Sequence, residues 1–216
     1  MAKTYTREQF VERYGPYISK ATKGSGILPG TLIAQAIIES QGRVGSSYRV
    51  GASTLSREAN NYFGIKCHGW SGRGYNIDTR EQTSSGEDYT EKNACFRAYD
   101  SVEDSIDDYI RFLHANSNYR RAGVFKAKTV EDQAKALKRA GYATDINYAS
   151  TVTKVYNSVR SYVDKFSSYG IKGVWKSFRY DPKAFIKRNK LAFIGVGVLL
   201  TSAGVLTYVL IKSKKK

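Results

Sequence analysis

At 216 residues, with 41% hydrophobic and 25% charged side chains, the chain can bury a core, and this composition excludes a disordered polymer. The formal charge of +16 is unevenly placed: from Gly170 onward 11 basic residues face one acid, Asp181, which leaves 24 basic and 18 acidic residues, or +6, for positions 1–169. With no zinc-finger, P-loop or RNP-like string, a duplex-reading module is set aside and no nucleic acid is expected as partner, while a mildly basic body suits other polyanions.

The opening "MAKTYTREQF" lacks the apolar run of a secretory signal. The first periodic stretch, "TREQFVERYGPYISKAT", places Phe10, Tyr14, Tyr17 and Ile18 at helical intervals with Thr6 as the capping residue. A second helix follows in "ILPGTLIAQAIIES", where Pro29 marks the start and Leu32, Ile33, Ala36 and Ile37 form the apolar stripe. Glu39 falls in line with Leu32 and Ala36, so its carboxylate is expected to be partly desolvated. Desolvation raises a carboxyl pKa, the condition under which a glutamic acid keeps a proton to donate near neutral pH. The bland reading is a rim glutamate reaching water at a helix end.

From about 42 to 95 the composition turns to Gly, Ser, Thr and Tyr, and "GWSGRGYN" and "TSSGEDY" punctuate it. This region reads as loops with a short hairpin. Cys67 and Cys95 lie within it, and either one bridge or two buried thiols satisfies the sequence. His68 and His114 share no ligand spacing with these cysteines, so no metal and no other cofactor is expected. "SVEDSIDDYIRFLHAN" restores helical spacing behind a Ser101–Asp104 capping box, and "TVEDQAKALKRAG" and "NYASTVTKVYNSVRSYVDKF" read as two further helices.

Beyond them, Trp175, Phe178, Tyr180 and Phe185 interleave with basic residues as at a lipid headgroup boundary. Residues 191–211, "LAFIGVGVLLTSAGVLTYVLI", carry no charge and are bracketed by basic clusters, so a transmembrane helix in contact with membrane lipid is expected there. The domain plan is therefore a folded body over 1–165, a basic and aromatic linker over 166–190, the span over 191–211 and a basic tail over 212–216. Nothing in the composition sets an oligomeric state.

Four strings occur in a recognisable order: "LIAQAIIES", "LSREANNYFGIK", "FRAYDSVEDSIDDYIRFL" and "ALKRAGYATDINYASTV". Together they resemble the glucosaminidase domain of peptidoglycan hydrolases, glycoside hydrolase family 73, over residues 7 to about 160. The resemblance implies a mostly helical α+β fold of lysozyme-like type, two-lobed, with the loop and hairpin region as the second lobe. It also implies hydrolysis of the β-1,4 bond after N-acetylglucosamine, so that peptidoglycan glycan strands are the expected partner. Glu39 matches the family's general acid, and Tyr148 the tyrosine of its "NY" string. The "NNxFGIK" segment matches Asn60, Asn61, Phe63, Gly64, Ile65 and Lys66.

The chain departs from the family where Gln41, Gly42 and Arg43 replace a Gly-aromatic-Gly turn after the acid. For the second carboxylate, Glu81 of "TREQ" is the nearest match, with Glu87 and Glu91 as competitors. Asn61, Tyr62, Phe63, Trp70 and Tyr75 are candidates to bind the sugar, the aromatic rings by offering apolar faces. Phe96 and Tyr99 read as structural, and Arg97 as paired with a local acid. The implied setting is a bacterial or phage-infected cell envelope, with the domain facing the wall. A glycan-binding module without turnover is the alternative.

Overall fold

The computed structural model describes residues 3–82, 87–169, 196–200 and 206–210. Helix α1, Arg7–Ala21, begins at a complete capping box, in which Gln9 N–H donates to Thr6 Oγ1 at 3.2 Å and Thr6 N–H donates to Gln9 Oε1 at 2.9 Å. Helix α2, Pro29–Ser40, starts on Pro29, whose missing N–H costs nothing in the first turn. Its residues from Gly30 to Ile37 are all buried, because α1 covers one side and α7, Tyr148–Tyr169, covers another. A helix apolar on every side belongs inside a domain, and α2 is the axis of this one.

The remaining helices close the core around that axis. Helix α4, Val102–Ala115, is capped by Ser101, and α6, Val130–Arg139, by Thr129. Between them lies the short α5, Ser117–Arg121. Phe10, Ile18, Leu32, Ile33, Ile106 and Leu113 are among the side chains with no exposed surface. Gln133 of α6 ties the connections together, accepting from Leu28 N–H at 2.8 Å and donating to the carbonyls of Gly26 and Val124.

The stretch expected to be mainly loops is more ordered than its composition suggests. Strands β1, Gly42–Val44, and β2, Ser47–Arg49, form a small hairpin, and a short helix, α3 (Thr54–Ala59), follows. A longer hairpin pairs β3, Gly74–Gln82, with β4, Asp88–Arg97, from Gly74 opposite Arg97 to Gln82 opposite Asp88. The many Thr and Tyr residues that resembled loop composition are strand formers here. Helices α3 and α5 are too short to generate a periodic signal.

The long hairpin is fastened to the helical lobe at its base. Cys67 and Cys95 form a disulfide with Cα atoms 5.4 Å apart, which resolves the choice the sequence left open. Beside it, Cys67 N–H donates to the Cys95 carbonyl at 2.9 Å and Arg97 N–H to the Ile65 carbonyl at 2.9 Å. Arg97 then reaches Asp108 of α4 at 2.8 Å, the local ion pair its sequence position suggests.

The transmembrane helix expected over 191–211 is corrected where the chain is described. Val196–Leu200 and Leu206–Leu210 are antiparallel strands, β5 and β6, with Val196 opposite Leu210. Their β-branched Val196, Val198, Thr207 and Val209 favour a pleated backbone. Among the described residues no helix is long and apolar enough to cross a membrane. Residues 191–195, 201–205 and 211–216 lie outside the described residues, as does the predicted linker beyond Tyr169, with Trp175, Phe178, Tyr180 and Phe185.

Candidate active site

Glu39 stands in the last turn of α2 and is half-buried. Its carboxyl pKa is pushed up to about 7, with burial as the cause. No hydrogen bond or ion pair to a described residue holds the charged form, so desolvation acts unopposed. The following residue anchors the helix end: Ser40 Oγ donates to the Ala36 carbonyl at 2.6 Å and accepts from Gly51 N–H at 3.2 Å. The backbone carrying Glu39 is therefore pinned while its carboxyl is left free.

Behind Glu39 lies a cluster of phenols. The Glu39 charge helps push the Tyr148 and Tyr142 hydroxyls well above the usual phenol range, after the larger effect of burial. Tyr148 begins α7 and accepts a hydrogen bond from Gln35 Nε2 at 2.6 Å. Its ring lies 5.8 Å from that of Tyr142, which in turn stands edge-on to Tyr109. Tyr142 donates to the Phe63 carbonyl at 3.3 Å, linking the cluster to the segment after α3. Sequence reading missed Gln35, Tyr109 and Tyr142. Gln35 could have been found as a fully polar side chain inside an otherwise apolar helix, and Tyr109 and Tyr142 carry no such signal.

The structure sets Tyr148 against Gln35, one helical turn from Glu39 on α2, and assigns three of the predicted sugar-binding residues to other work. Asn61 is buried, and its amide is used up on the backbone: Nδ2 donates to the carbonyls of Ile65 at 3.0 Å and Arg97 at 2.9 Å, and Oδ1 accepts from Phe63 and Ile65 N–H. Tyr62 stacks on Phe10 at 5.8 Å, and Phe63 on Tyr109 at 4.2 Å. Each of these rings is 3% exposed, and a ring so covered offers no face to a sugar. Their contribution is to set the loop that joins the two lobes.

Trp70 and Tyr75 are placed differently. Trp70 borders a groove of about 370 Å³ with Gly72, Arg73, Asp100 and Asp104, and the Arg97 guanidinium lies 4.9 Å from its ring. Tyr75 is half-buried on β3 opposite Phe96. A second cavity of about 370 Å³, bordered by Pro29, Gly30, Lys128, Tyr156 and Arg160, sits at the far end of α2 from Glu39. Neither cavity includes Glu39. The Glu39 carboxyl is the candidate centre in preference to these hollows, because it combines burial with the absence of a hydrogen-bond or ionic partner among the described residues.

The three candidates for a second carboxylate all ride on the long hairpin. Glu91, opposite Thr79, is held by Lys66 at 2.7 Å. Glu81 occupies the rung opposite Tyr89, two rungs nearer the tip. Glu87 is exposed just before β4. Among the described residues no group of three metal-ligating side chains is assembled.

The fold and this arrangement have counterparts among known proteins. The glucosaminidase family model, described as mannosyl-glycoprotein endo-beta-N-acetylglucosaminidase, matches residues 15–161. The peptidoglycan hydrolase FlgJ of Vibrio parahaemolyticus is 34% identical over 161 residues, covering 74% of this chain and 50% of the relative. The exo-glucosaminidase LytG of Bacillus subtilis is 31% identical over 132 residues, or 60% of this chain and 43% of the relative. The chain thus spans about half the length of the curated relatives it matches. Among solved structures, the catalytic domain of the autolysin Auto of Listeria monocytogenes superposes with a TM-score of 0.58 at 29% identity, covering 77% of this chain and 90% of that one. The glycoside hydrolase domain of Salmonella typhimurium FlgJ gives 0.52 at 29%, covering 75% and 93%. The fold is accordingly lysozyme-like, mixed α+β and mostly helical.

Proposed function

The chain belongs to the glucosaminidase family, glycoside hydrolase family 73, and on that footing we propose that it is a peptidoglycan hydrolase cutting the β-1,4 bond after N-acetylglucosamine, with Glu39 as general acid. The observation that carries the reading is the partnerless carboxyl of Glu39, raised to about 7 beside the Tyr148 and Tyr142 hydroxyls. Breaking a glycosidic bond requires a proton on the leaving oxygen and stabilisation of an oxocarbenium-like carbon. Glu39 supplies the first to the departing sugar hydroxyl, and water completes the cut at C1 of N-acetylglucosamine. Glu81 is our candidate for the second carboxylate, with Glu87 as its competitor, since Lys66 already engages Glu91. Tyr148 places a hydroxyl near the charge that Glu39 acquires, and Trp70 and Tyr75 remain the rings suited to sugar.

The apolar run 191–211, with basic residues on both sides, supports contact with membrane lipid through basic side chains meeting anionic headgroups, the domain facing the wall of a bacterial or phage-infected cell. Incubating the full chain with cell-wall sacculi and identifying new reducing ends by mass spectrometry tests the activity. N-acetylglucosamine ends are expected, and Glu39→Gln should remove them while sacculus binding persists. Binding without new ends would leave a glycan-binding module.

A further inference from the structure

Gln35 precedes Glu39 by four residues on α2 and has no exposed surface. Both ends of its amide are engaged: the Tyr109 hydroxyl donates to Oε1 at 2.8 Å, and Nε2 donates to the Tyr148 hydroxyl oxygen at 2.6 Å. Tyr109 is itself fixed, stacked on Phe63 at 4.2 Å and met edge-on by Tyr142 at 5.8 Å. An amide N–H can only donate, so the Tyr148 oxygen is used as acceptor and its single proton stays available for another group. Glu39 lies one turn further along the same face of α2 that presents Gln35 to Tyr148.

Resting on the glycosidase reading above, we infer that Gln35 is a positioning residue, which by donating to the Tyr148 oxygen turns the Tyr148 O–H toward Glu39 and the reacting sugar. The advantage arises as the proton leaves Glu39 for the glycosidic oxygen. Glu39 then becomes an anion in partly desolvated surroundings, and a pre-aimed O–H stabilises that charge without reorganising. The Tyr148 proton stays on Tyr148 throughout; the Glu39 proton goes to the leaving oxygen, and the proton lost by the attacking water restores the neutral acid. Tyr109 acts one step further back, by holding the Gln35 carbonyl so that its amide N–H faces Tyr148.

The test is a double-mutant cycle on sacculus turnover by the full chain, with thermal unfolding recorded for each variant so that rates are compared where all are folded. Gln35→Met removes both hydrogen bonds at similar length. If Gln35 works through Tyr148, then Gln35→Met and Tyr148→Phe each lower kcat by about 10- to 100-fold with KM little changed, and the double variant is no slower than Tyr148→Phe alone. A Gln35→Glu variant gives a second readout. Protonated, its buried carboxyl donates to the Tyr148 oxygen as the amide does; ionised, it can only accept, and it draws the Tyr148 proton inward. Its activity at low pH should therefore approach wild type, where Gln35→Met stays slow. Multiplicative losses in the double variant, or a Gln35→Glu variant as slow as Gln35→Met at low pH, would overturn the role while leaving the glycosidase intact. A wild-type chain that makes no cuts would remove both.

Discussion

Gln35 and Glu39 share one face of α2 a single turn apart, and they are treated in opposite ways: the buried amide is bonded at both ends, while the half-buried carboxyl has no hydrogen-bond or ionic partner among the described residues. The fold thus stabilises the neutral polar group and leaves the ionisable one strained toward its protonated form. A polar side chain in an apolar helix is costly unless bonded, and this contrast is what supports the proposal of Glu39 as the general acid.

That contrast fixes the sign of a pH effect. The Glu39 carboxyl is raised from 4.5 to about 7 in the folded protein, so between these values the folded state holds a proton that the unfolded state has released. Stability from this group is greatest below pH 4.5 and falls as pH rises, reaching its full cost above pH 7. Glu39→Gln should therefore unfold at a higher temperature than wild type at pH 8 and match it near pH 4. The gain at pH 8 is roughly 1–3 kcal/mol once its partial exposure is allowed for. Hydrolysis should fall as pH rises through about 7, because the acid is then deprotonated. Equal melting temperatures at pH 8, or a rate that is flat from pH 6 to 9, would contradict the assignment.

Asn61→Ala separates scaffold from substrate binding. The change removes four hydrogen bonds to the backbone of Phe63, Ile65 and Arg97, leaving the buried N–H groups of Phe63 and Ile65 without this acceptor. A cost of about 2–4 kcal/mol is expected in urea unfolding. At a temperature where the variant stays folded, KM for glycan should change little. A variant as stable as wild type but with a weakened KM would return Asn61 to the sugar site.

The Cys67–Cys95 bridge closes a loop between residues 28 apart. Chain entropy alone assigns such a closure about 3.5 kcal/mol, and the β3–β4 pairing that survives reduction lowers the effective gain. Dithiothreitol, or Cys95→Ser, should lower the melting temperature by several degrees and slow turnover by loosening the hairpin that carries Glu81. Gly74 lies against this bridge, where an added Cβ would stand 2.8 Å from the Cys95 sulfur, so Gly74→Ala should cost stability in the oxidised protein only. An unchanged melting temperature on reduction would show that the strand pairing alone holds the hairpin.

How much of this could be read from the sequence follows from what each residue type signals. The helices capped by Thr6, Ser101 and Thr129 were legible, because a cap followed by apolar residues at helical spacing is a local pattern. The desolvation of Glu39 was legible from its place in the apolar stripe. Asn61 and Tyr62 were misread, and Phe63, which the sequence allows equally as core or platform, is core, because a motif shows that a segment has a task without showing whether the task is contact or support, and burial decides between them. The long hairpin was understated because its Thr and Tyr residues suit either a strand or a turn. The terminal apolar run was read from its length, its lack of charge and its basic flanks, whereas its β-branched content fits the strands described for Val196–Leu200 and Leu206–Leu210.

Asp108 offers the most direct test of how the two lobes are joined. Its carboxylate is 5% exposed and receives Arg97 at 2.8 Å, the Tyr99 hydroxyl at 2.8 Å and Arg111 at 3.3 Å. Arg97 belongs to β4 and is flanked by the Trp70 ring at 4.9 Å and the Phe112 ring at 5.8 Å, so its guanidinium has little water to turn to. Removing one partner of a buried ion pair leaves the other charge uncompensated and typically costs about 3–5 kcal/mol, whereas exposed pairs such as Lys92–Asp78 contribute far less. Asp108→Ala should therefore lower stability by several kcal/mol, and Asp78→Ala by less than about 1 kcal/mol. Asp108→Asn, which can still accept from Tyr99 and Arg97 but carries no charge, should fall between them. Because Arg97 leads straight to the disulfide and the hairpin, amide exchange in β3 and β4 should quicken in Asp108→Ala before α1 and α2 are affected. Exchange that quickens evenly through both lobes would mean that Asp108 supports the whole core and not the hinge between them.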